Sequence, residues 1–518
     1  MGEGSPSGGS VVELTGGPLT TGEVVAVARG RARVRLSDAA RDAMAASRAV
    51  VDRLADSQEP HYGVSTGFGS LATRYIEPDD RMRLQASLVR SHAAGVGPPV
   101  EDEVVRAMLL LRARTLASGR TGARPEVAGL MADLLNAGIT PVVHEHGSLG
   151  CSGDLAPLAH VALALLGEGV VEVAGTRTDA AAALRDAGLT PISLREKEGL
   201  ALINGTDGML GMLVLAIADL RVLVRTADIA AAMSVEALLG TDRAFAADLL
   251  ALRPQAGQQD SAANLRALLA GSPVVASHRH GDPRVQDAYS LRCHPQVAGS
   301  VRDVLGFAET IATRELVSVI DNPVVLEDGR VESNGNFHGA PIAHAADYLA
   351  VAVADLASIS ERRTDRLLDA NRSQGLPAFL ADDPGVDSGL MIAHYTAAAL
   401  VSECKRLAVP ASADSIPTSA MQEDHVSMGW AAARKLRRAV TAAASVIAVE
   451  LLASARGLAL RAPLEPAAAT GAVRALVLGG DRGAGPDRFL APELAAVTEL
   501  VRSGEVVRVA ESATGPLL

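Results

Sequence analysis

Five stretches of this chain place apolar residues at the spacing of a helix face over lengths that only long helices satisfy. They are about residues 206–239, 295–318, 340–370, 384–407 and 424–459. In the third, Ile342, Leu349, Val353, Leu356 and Ile359 recur on one side. Long helices with little strand signal between them predict a helical bundle. Composition points the same way. Apolar residues make up 48% of the chain but aromatics only 2%, so the core must be built of Ala, Leu and Val. Such a core suits closely packed helices better than aromatic-rich sheets. The expected class is mainly α.

The first 205 residues read differently. Val24 to Leu36 alternates short apolar residues with Arg29, Arg31, Arg33 and Arg35, which predicts a small strand pair. Ser37 reads as the N-cap of the helix SDAARDAMAASRAVVDRL. Shorter helical segments follow, broken by the loops HYGVSTGFGS, HAAGVGPP and HGSLGCSGD. At 518 residues there is length for about three domain-sized units. The expected division is a disordered Gly/Ser-rich tail at 1–10, an N-terminal domain at 11–205, a central long-helix bundle at 206–470, opened by Thr206 as cap, and a C-terminal helical segment at 471–518 containing the loop GGDRGAGPD.

A net charge of -12 argues against general nucleic-acid binding and against docking on an anionic membrane. Three well-separated cysteines, Cys151, Cys293 and Cys404, form neither a disulfide framework nor a paired metal-ligand spacing. His278-Arg279-His280 and His144-Glu145-His146 are too isolated to argue for zinc. The opening MGEGSPSGGS has no basic-then-apolar leader, and the apolar run Met209 to Ala218 stops at Asp219, too short to cross a bilayer. A cytoplasmic protein, with no metal and no membrane or nucleic-acid partner, is expected.

The stretch GSLGCSGDLAPLAH, Gly147 to His160, carries the chemistry. It is not a phosphate loop, because Asp154 stands where that motif needs lysine. It fails the G-x-S-x-G pattern of a hydrolase elbow at its last position. A Cys151 nucleophile paired with His144, His146 or His160 is conceivable, although a free cysteine is more often a small buried residue. A plain glycine-rich turn before a helix also fits. A fourth reading uses the backbone. Attack of the Gly153 amide nitrogen on the Cys151 carbonyl carbon closes a five-membered ring, and loss of the Ser152 hydroxyl as water leaves an electrophilic methylidene. Gly153 suits this because it tolerates strained geometry.

GSLG-CSG-DLAPLAH resembles the signature of the aromatic amino acid ammonia-lyases and aminomutases, whose Ala-Ser-Gly triplet becomes 4-methylideneimidazol-5-one (MIO). Cys151 stands here where alanine is usual, a change the chemistry should tolerate because that side chain is not consumed. The resemblance recurs from about residue 60 to 430 and is strongest to histidine ammonia-lyases. It implies an MIO-bearing N-terminal domain on the bundle, formed autocatalytically from Cys151-Ser152-Gly153 without metal, NAD or PLP. It also implies a homotetramer whose active sites combine loops from three subunits.

Carried over by motif, HYGVSTGFG supplies Tyr62 for proton transfer, and SLVRSHAAG supplies His92 for side-chain selection. ALINGT supplies Asn204 near the substrate amine. QDAYSLRC supplies Tyr289 as a further catalytic residue and Gln286 and Arg292 for substrate binding; NGNFHG supplies the active-site phenylalanine, Phe337; and SAMQEDHVSM supplies Glu423. Asp207 and Met421 stand where relatives commonly have glutamine and asparagine.

Most of these have duller readings. A lone arginine is more often a surface ion pair, Tyr62 a half-buried ring, Phe337 core, and Glu423-Asp424 an acidic first helical turn. As a group they fit a small amino acid. Arg292 can hold a carboxylate with a two-pronged fork, and His92 with Glu423 can pair with an imidazole. Tyr62 as a base needs positive charge or helix N-termini to lower its pKa. The expected reaction is elimination of ammonia from L-histidine to trans-urocanate. The rivals are a 2,3-aminomutase acting on histidine or another aromatic amino acid, and a tyrosine or phenylalanine ammonia-lyase. A catalytically dead scaffold and a Cys151 hydrolase are rivals of other classes.

Overall fold

The computed structural model describes residues 11–57, 59–71, 73–479 and 485–518, with only the backbone of Ser70. The expected 1–10 tail and most of the loop GGDRGAGPD lie outside these. The chain is mainly helical, with four small sheets among the described residues. Nine helices matter for the site: α1 (Pro78–His92), α2 (Leu155–Leu165), α3 (Glu198–Ile203), α4 (Asp207–Ala237), α5 (Tyr289–Arg292), α6 (His294–Val317), α7 (Ala340–Leu368), α8 (Met391–Leu407) and α9 (Gly429–Ala459).

The long-helix pattern translates well. Ile342, Leu349, Val353 and Leu356 are buried on α7 as their spacing predicts, and Ile359 is half-buried. Burying each such side chain contributes about 1.5–3 kcal/mol. α7 and α9 are long and apolar enough to cross a membrane by length and composition alone. Their apolar windows are 72% and 83% buried within the protein, which marks them as core helices.

Two helices start later than their pattern suggests. α8 begins at Met391 because Asp383-Pro384-Gly385 breaks the chain before it and Gly389 takes φ +57. α9 begins at Gly429 because the preceding residues are committed elsewhere. The Met428 amide donates to the Leu149 carbonyl at 2.8 Å, and the Ser427 hydroxyl donates to the Gly150 carbonyl at 2.7 Å.

The N-terminal strand pair exists, but not within Val24–Leu36. β1 (Val11–Leu14) runs parallel to β2 (Arg33–Leu36), and Thr21–Ala28 between them is a helix. Thr20 and Glu23 form a capping box that starts this helix and overrides the alternation that read as strand. A parallel pair needs such a crossover.

Two compact units emerge. The first comprises Met1–Leu215, Glu309–Ala346 and Pro410–Arg434; the second comprises Ala216–Ala308, Asp347–Val409 and Lys435–Leu518. The first holds the glycine-rich triplet loop. The second is built on long helices around a fully buried polar network. There the Arg363 guanidinium clamps the Glu450 carboxylate, which also accepts from Ser234 and Ser360. Arg363 Nη1 donates to His294 Nδ1 at 3.1 Å, so His294 Nε2–H donates to Asp228 at 2.9 Å. Burial lowers the His294 pKa against the pull of Asp228, in keeping with a neutral ring.

Candidate active site

The strand His144–His146 leads directly into the triplet loop. Gly150 and Gly153 both sit in the left-handed region, at φ +68 and +74. A Cβ on Gly153 would lie 2.1 Å from the Gly205 carbonyl oxygen, so no other residue fits without moving backbone. The Asp154 amide donates to that same Gly205 carbonyl at 2.7 Å. The C-S-G and N-G-T motifs therefore meet backbone to backbone.

Asp154 locks the loop onto α4. Its carboxylate is fully buried and accepts from the Ser148 hydroxyl at 2.8 Å and from the Gly208 and Met209 amides at 2.9 Å each. Those two amides belong to the first turn of α4, where helix donors lack intrahelical partners. The predicted cap, Thr206, instead donates its hydroxyl to Glu315 at 2.6 Å. Burial raises the Asp154 pKa to about 7, opposed by its hydrogen-bond donors and reinforced by Asp207. Asp207 is itself buried, its carboxylate 2.8 Å from the Arg112 guanidinium.

Glu423 reaches the triplet from far along the chain. Ser152 Oγ donates to Glu423 Oε1 at 2.9 Å, while Cys151 Sγ, at 3.1 Å, and Thr418 Oγ1, at 2.9 Å, donate to Oε2. Thr418 and Glu423 also exchange backbone hydrogen bonds across a tight turn whose residues Ser419, Ala420 and Met421 all have positive φ. Non-glycine residues in that region store strain. Cys151 is buried against Val426 and Met428. Burial first, then Glu423, pushes its thiol up to about 12, which leaves it a poor thiolate nucleophile.

His92 ends α1. Its Nδ1–H donates to the Leu88 carbonyl at 2.9 Å, leaving Nε2 as the ring's outward hydrogen-bonding atom. Burial lowers its pKa, opposed by Leu88 and Glu423. Asn204 follows α3, and its Oδ1 is buried without a hydrogen-bond partner among the described residues, a costly arrangement unless a ligand uses it. The Gly339 amide donates to the Gly150 carbonyl at 3.0 Å, tying the loop that carries half-buried Phe337 to the triplet loop.

Tyr62 accepts from the Gly69 amide at 3.3 Å and stands edge-on to Phe68. The sequence reading required its pKa to fall. Within this unit burial raises it, with Glu423 and Asp321 adding to the rise and the Gly69 amide opposing it. Both charged groups that act on Tyr62 here, Glu423 and Asp321, are acidic and oppose the expected lowering.

Gln286, Tyr289 and Arg292 belong to the second unit and line one open cleft there with Arg284, Arg366 and Arg372. The Arg292 guanidinium stacks on the Tyr289 ring, 4.7 Å from its centroid, and Tyr289 is 71% exposed. Arg363 Nη1 donates to the Ser290 carbonyl, anchoring the short α5 that carries both side chains. The predicted residues thus form two groups, one around the triplet and one in this arginine-rich cleft, where Arg284 and Arg372 are paired with aspartates. Asp154 and Thr418 were missed. Asp154 was legible only as a reason against phosphate, and nothing in the sequence marks Thr418.

The aromatic amino acid lyase family matches residues 19–478, and the chain belongs to that family. A relative from Streptomyces coelicolor described as histidine ammonia-lyase is 65% identical over 510 residues, covering 98% of this chain and 99% of its own. The crystal structure of histidine ammonia-lyase from Trypanosoma cruzi superposes with a TM-score of 0.89 at 42% identity, covering 97% of this chain and 96% of its own. Tyrosine aminomutase from Streptomyces globisporus superposes with a TM-score of 0.92 at 38% identity, covering 98% and 100%.

Proposed function

We propose that this chain is a carbon–nitrogen lyase that eliminates ammonia from L-histidine to give trans-urocanate, the first step of histidine degradation. The observation that carries the substrate choice is the Glu423 carboxylate held beside Ser152, with the His92 ring under its electrostatic influence. A carboxylate acceptor there suits an imidazole N–H and is wasted on a phenyl ring.

Cys151, Ser152 and Gly153 fit an MIO precursor. Gly153 is sterically obliged to be glycine, Ser152 has a carboxylate against its hydroxyl, and the Cys151 side chain packs on Val426 and Met428 without being consumed by ring closure. An MIO ring formed from these three residues would supply an electrophilic methylidene, the chemistry that turns a substrate amine into a better leaving group. Arg292 holds the substrate carboxylate, and Tyr289 with Gln286 borders it. Asn204 offers its free Oδ1 to a substrate N–H. Phe337 walls the site, and Tyr62 accepts the β-proton.

Tyr62 and Arg292 lie in different units, and a homotetramer with shared active sites supports both roles. Arg292 of one copy would supply the positive charge that Tyr62 of another lacks. Exposed Phe307 on α6, Tyr348 and Val351 on α7, and Ile392 and Tyr395 on α8 give the second unit an apolar surface suited to self-association. Three free cysteines suit the cytoplasm.

Parallel incubation with histidine, tyrosine and phenylalanine, following the ultraviolet absorbance of the conjugated acid, tests the reading. Urocanate from histidine is expected. Turnover of tyrosine or phenylalanine with none of histidine overturns it. The likeness to a tyrosine aminomutase keeps one second reading, and a β-amino acid among the products would establish it.

A further inference from the structure

The three donors on Glu423 are not equivalent. Ser152 occupies Oε1 alone, whereas Thr418 and Cys151 share Oε2. Ring formation changes this distribution. The Gly153 nitrogen bonds to the Cys151 carbonyl carbon, whose oxygen leaves as water with the amide hydrogens of Ser152 and Gly153. The Ser152 hydroxyl leaves as a second water with the hydrogen of its Cα. No oxidant or reductant is needed. Afterwards Oε1 has lost its donor while both donors on Oε2 persist, because neither the Cys151 side chain nor Thr418 is consumed.

We propose that Cys151 is a positioning residue for substrate binding: its thiol, together with the Thr418 hydroxyl, holds Glu423 Oε2 so that Oε1, emptied when Ser152 dehydrates, faces the imidazole N–H of the substrate. The alanine usual at this position offers no donor. The thiol is suited to the task because it stays protonated, its pKa pushed up to about 12, and because Val426 and Met428 pack against it. An S–H is a weak donor, so the effect is one of aim rather than of large affinity.

The inference rests on the lyase reading above, and its test keeps the two apart. Cys151→Ala, Cys151→Ser and Thr418→Val are each compared with wild type by intact mass, by steady-state kinetics on L-histidine, and by trans-urocanate binding in a Ser152→Ala background that cannot dehydrate. All three variants should still lose two waters. Cys151→Ala and Thr418→Val should raise KM about three- to tenfold with kcat nearly unchanged, the loss expected for one hydrogen bond used equally in ground and transition states. Urocanate affinity should fall by a similar factor, and Cys151→Ser should restore both.

Unchanged KM and unchanged urocanate affinity in Cys151→Ala overturn the positioning role and leave the lyase reading standing. Incomplete water loss with a normal KM also overturns it, because Cys151 would then act on ring closure. Wild type that loses both waters yet ignores histidine defeats the lyase reading instead.

Discussion

Gly153 and Asp154 stand side by side yet answer to different physics. At Gly153 the constraint is steric. A Cβ would strike the Gly205 backbone at 2.1 Å, and φ is +74. Gly153→Ala should therefore displace the loop, and intact mass should show the two waters retained. At Asp154 the constraint is electrostatic. Its folded pKa of about 7 lies above the ordinary carboxylate value of 3.8, so the folded state binds the proton more tightly than the unfolded state. The stability this contributes is present below pH 4 and is lost as pH rises to about 7. Thermal midpoints of wild type and Asp154→Asn across that range should show the wild type losing ground to the variant as pH rises. A constant difference would mean that Asp154 stays ionised on the α4 amides.

Among the elements, α5 is too short to hold its own conformation and depends on what grips it. Arg363, on α7, donates to the Ser290 carbonyl while clamping Glu450 on α9, and neither of these two side chains is exposed. Arg363→Met leaves Glu450 as a buried carboxylate with two hydroxyl donors and no countercharge. It should cost about 3–5 kcal/mol, read as a lower thermal midpoint, and Arg363→Met with Glu450→Leu should recover most of it. The later start of α9 and the capping of α4 by Asp154 follow one rule. Where a loop packs against a helix end, the loop supplies the partners that local sequence would otherwise nominate. Thr206 has the residue type of a cap, but its hydroxyl finds Glu315.

At the scale of the molecule, Tyr62 and Arg292 fall in separate compact units, and the proposed tetramer assigns each active site residues from more than one copy. Tyr62→Phe and Arg292→Ala should each be nearly inactive alone. Co-expressed, they should form mixed tetramers in which some sites carry neither change, and histidine turnover should reappear. Activity no higher than that of the separate variants would place each site within one copy. Sedimentation of the wild type gives the subunit number directly.

The helices were legible because apolar periodicity is a local property that survives whatever the chain packs against. Ile342, Leu349, Val353 and Leu356 could be assigned to a buried face without knowing their neighbours. The triplet proposed to close a ring could be named for a similar reason, since that chemistry needs only three consecutive residues. Tertiary structure alone decided what meets that triplet. Glu423 lies 271 residues beyond Ser152, and Gly205 and Gly339 join from two further segments. It also decided that Tyr62 would be surrounded by burial and acidic charge, and that Asp154, read at first only as an obstacle to phosphate, would anchor the loop. Covalent neighbours and periodicity are written in order along the chain. Hydrogen bonds between distant loops depend on how whole elements pack, and no local pattern encodes them.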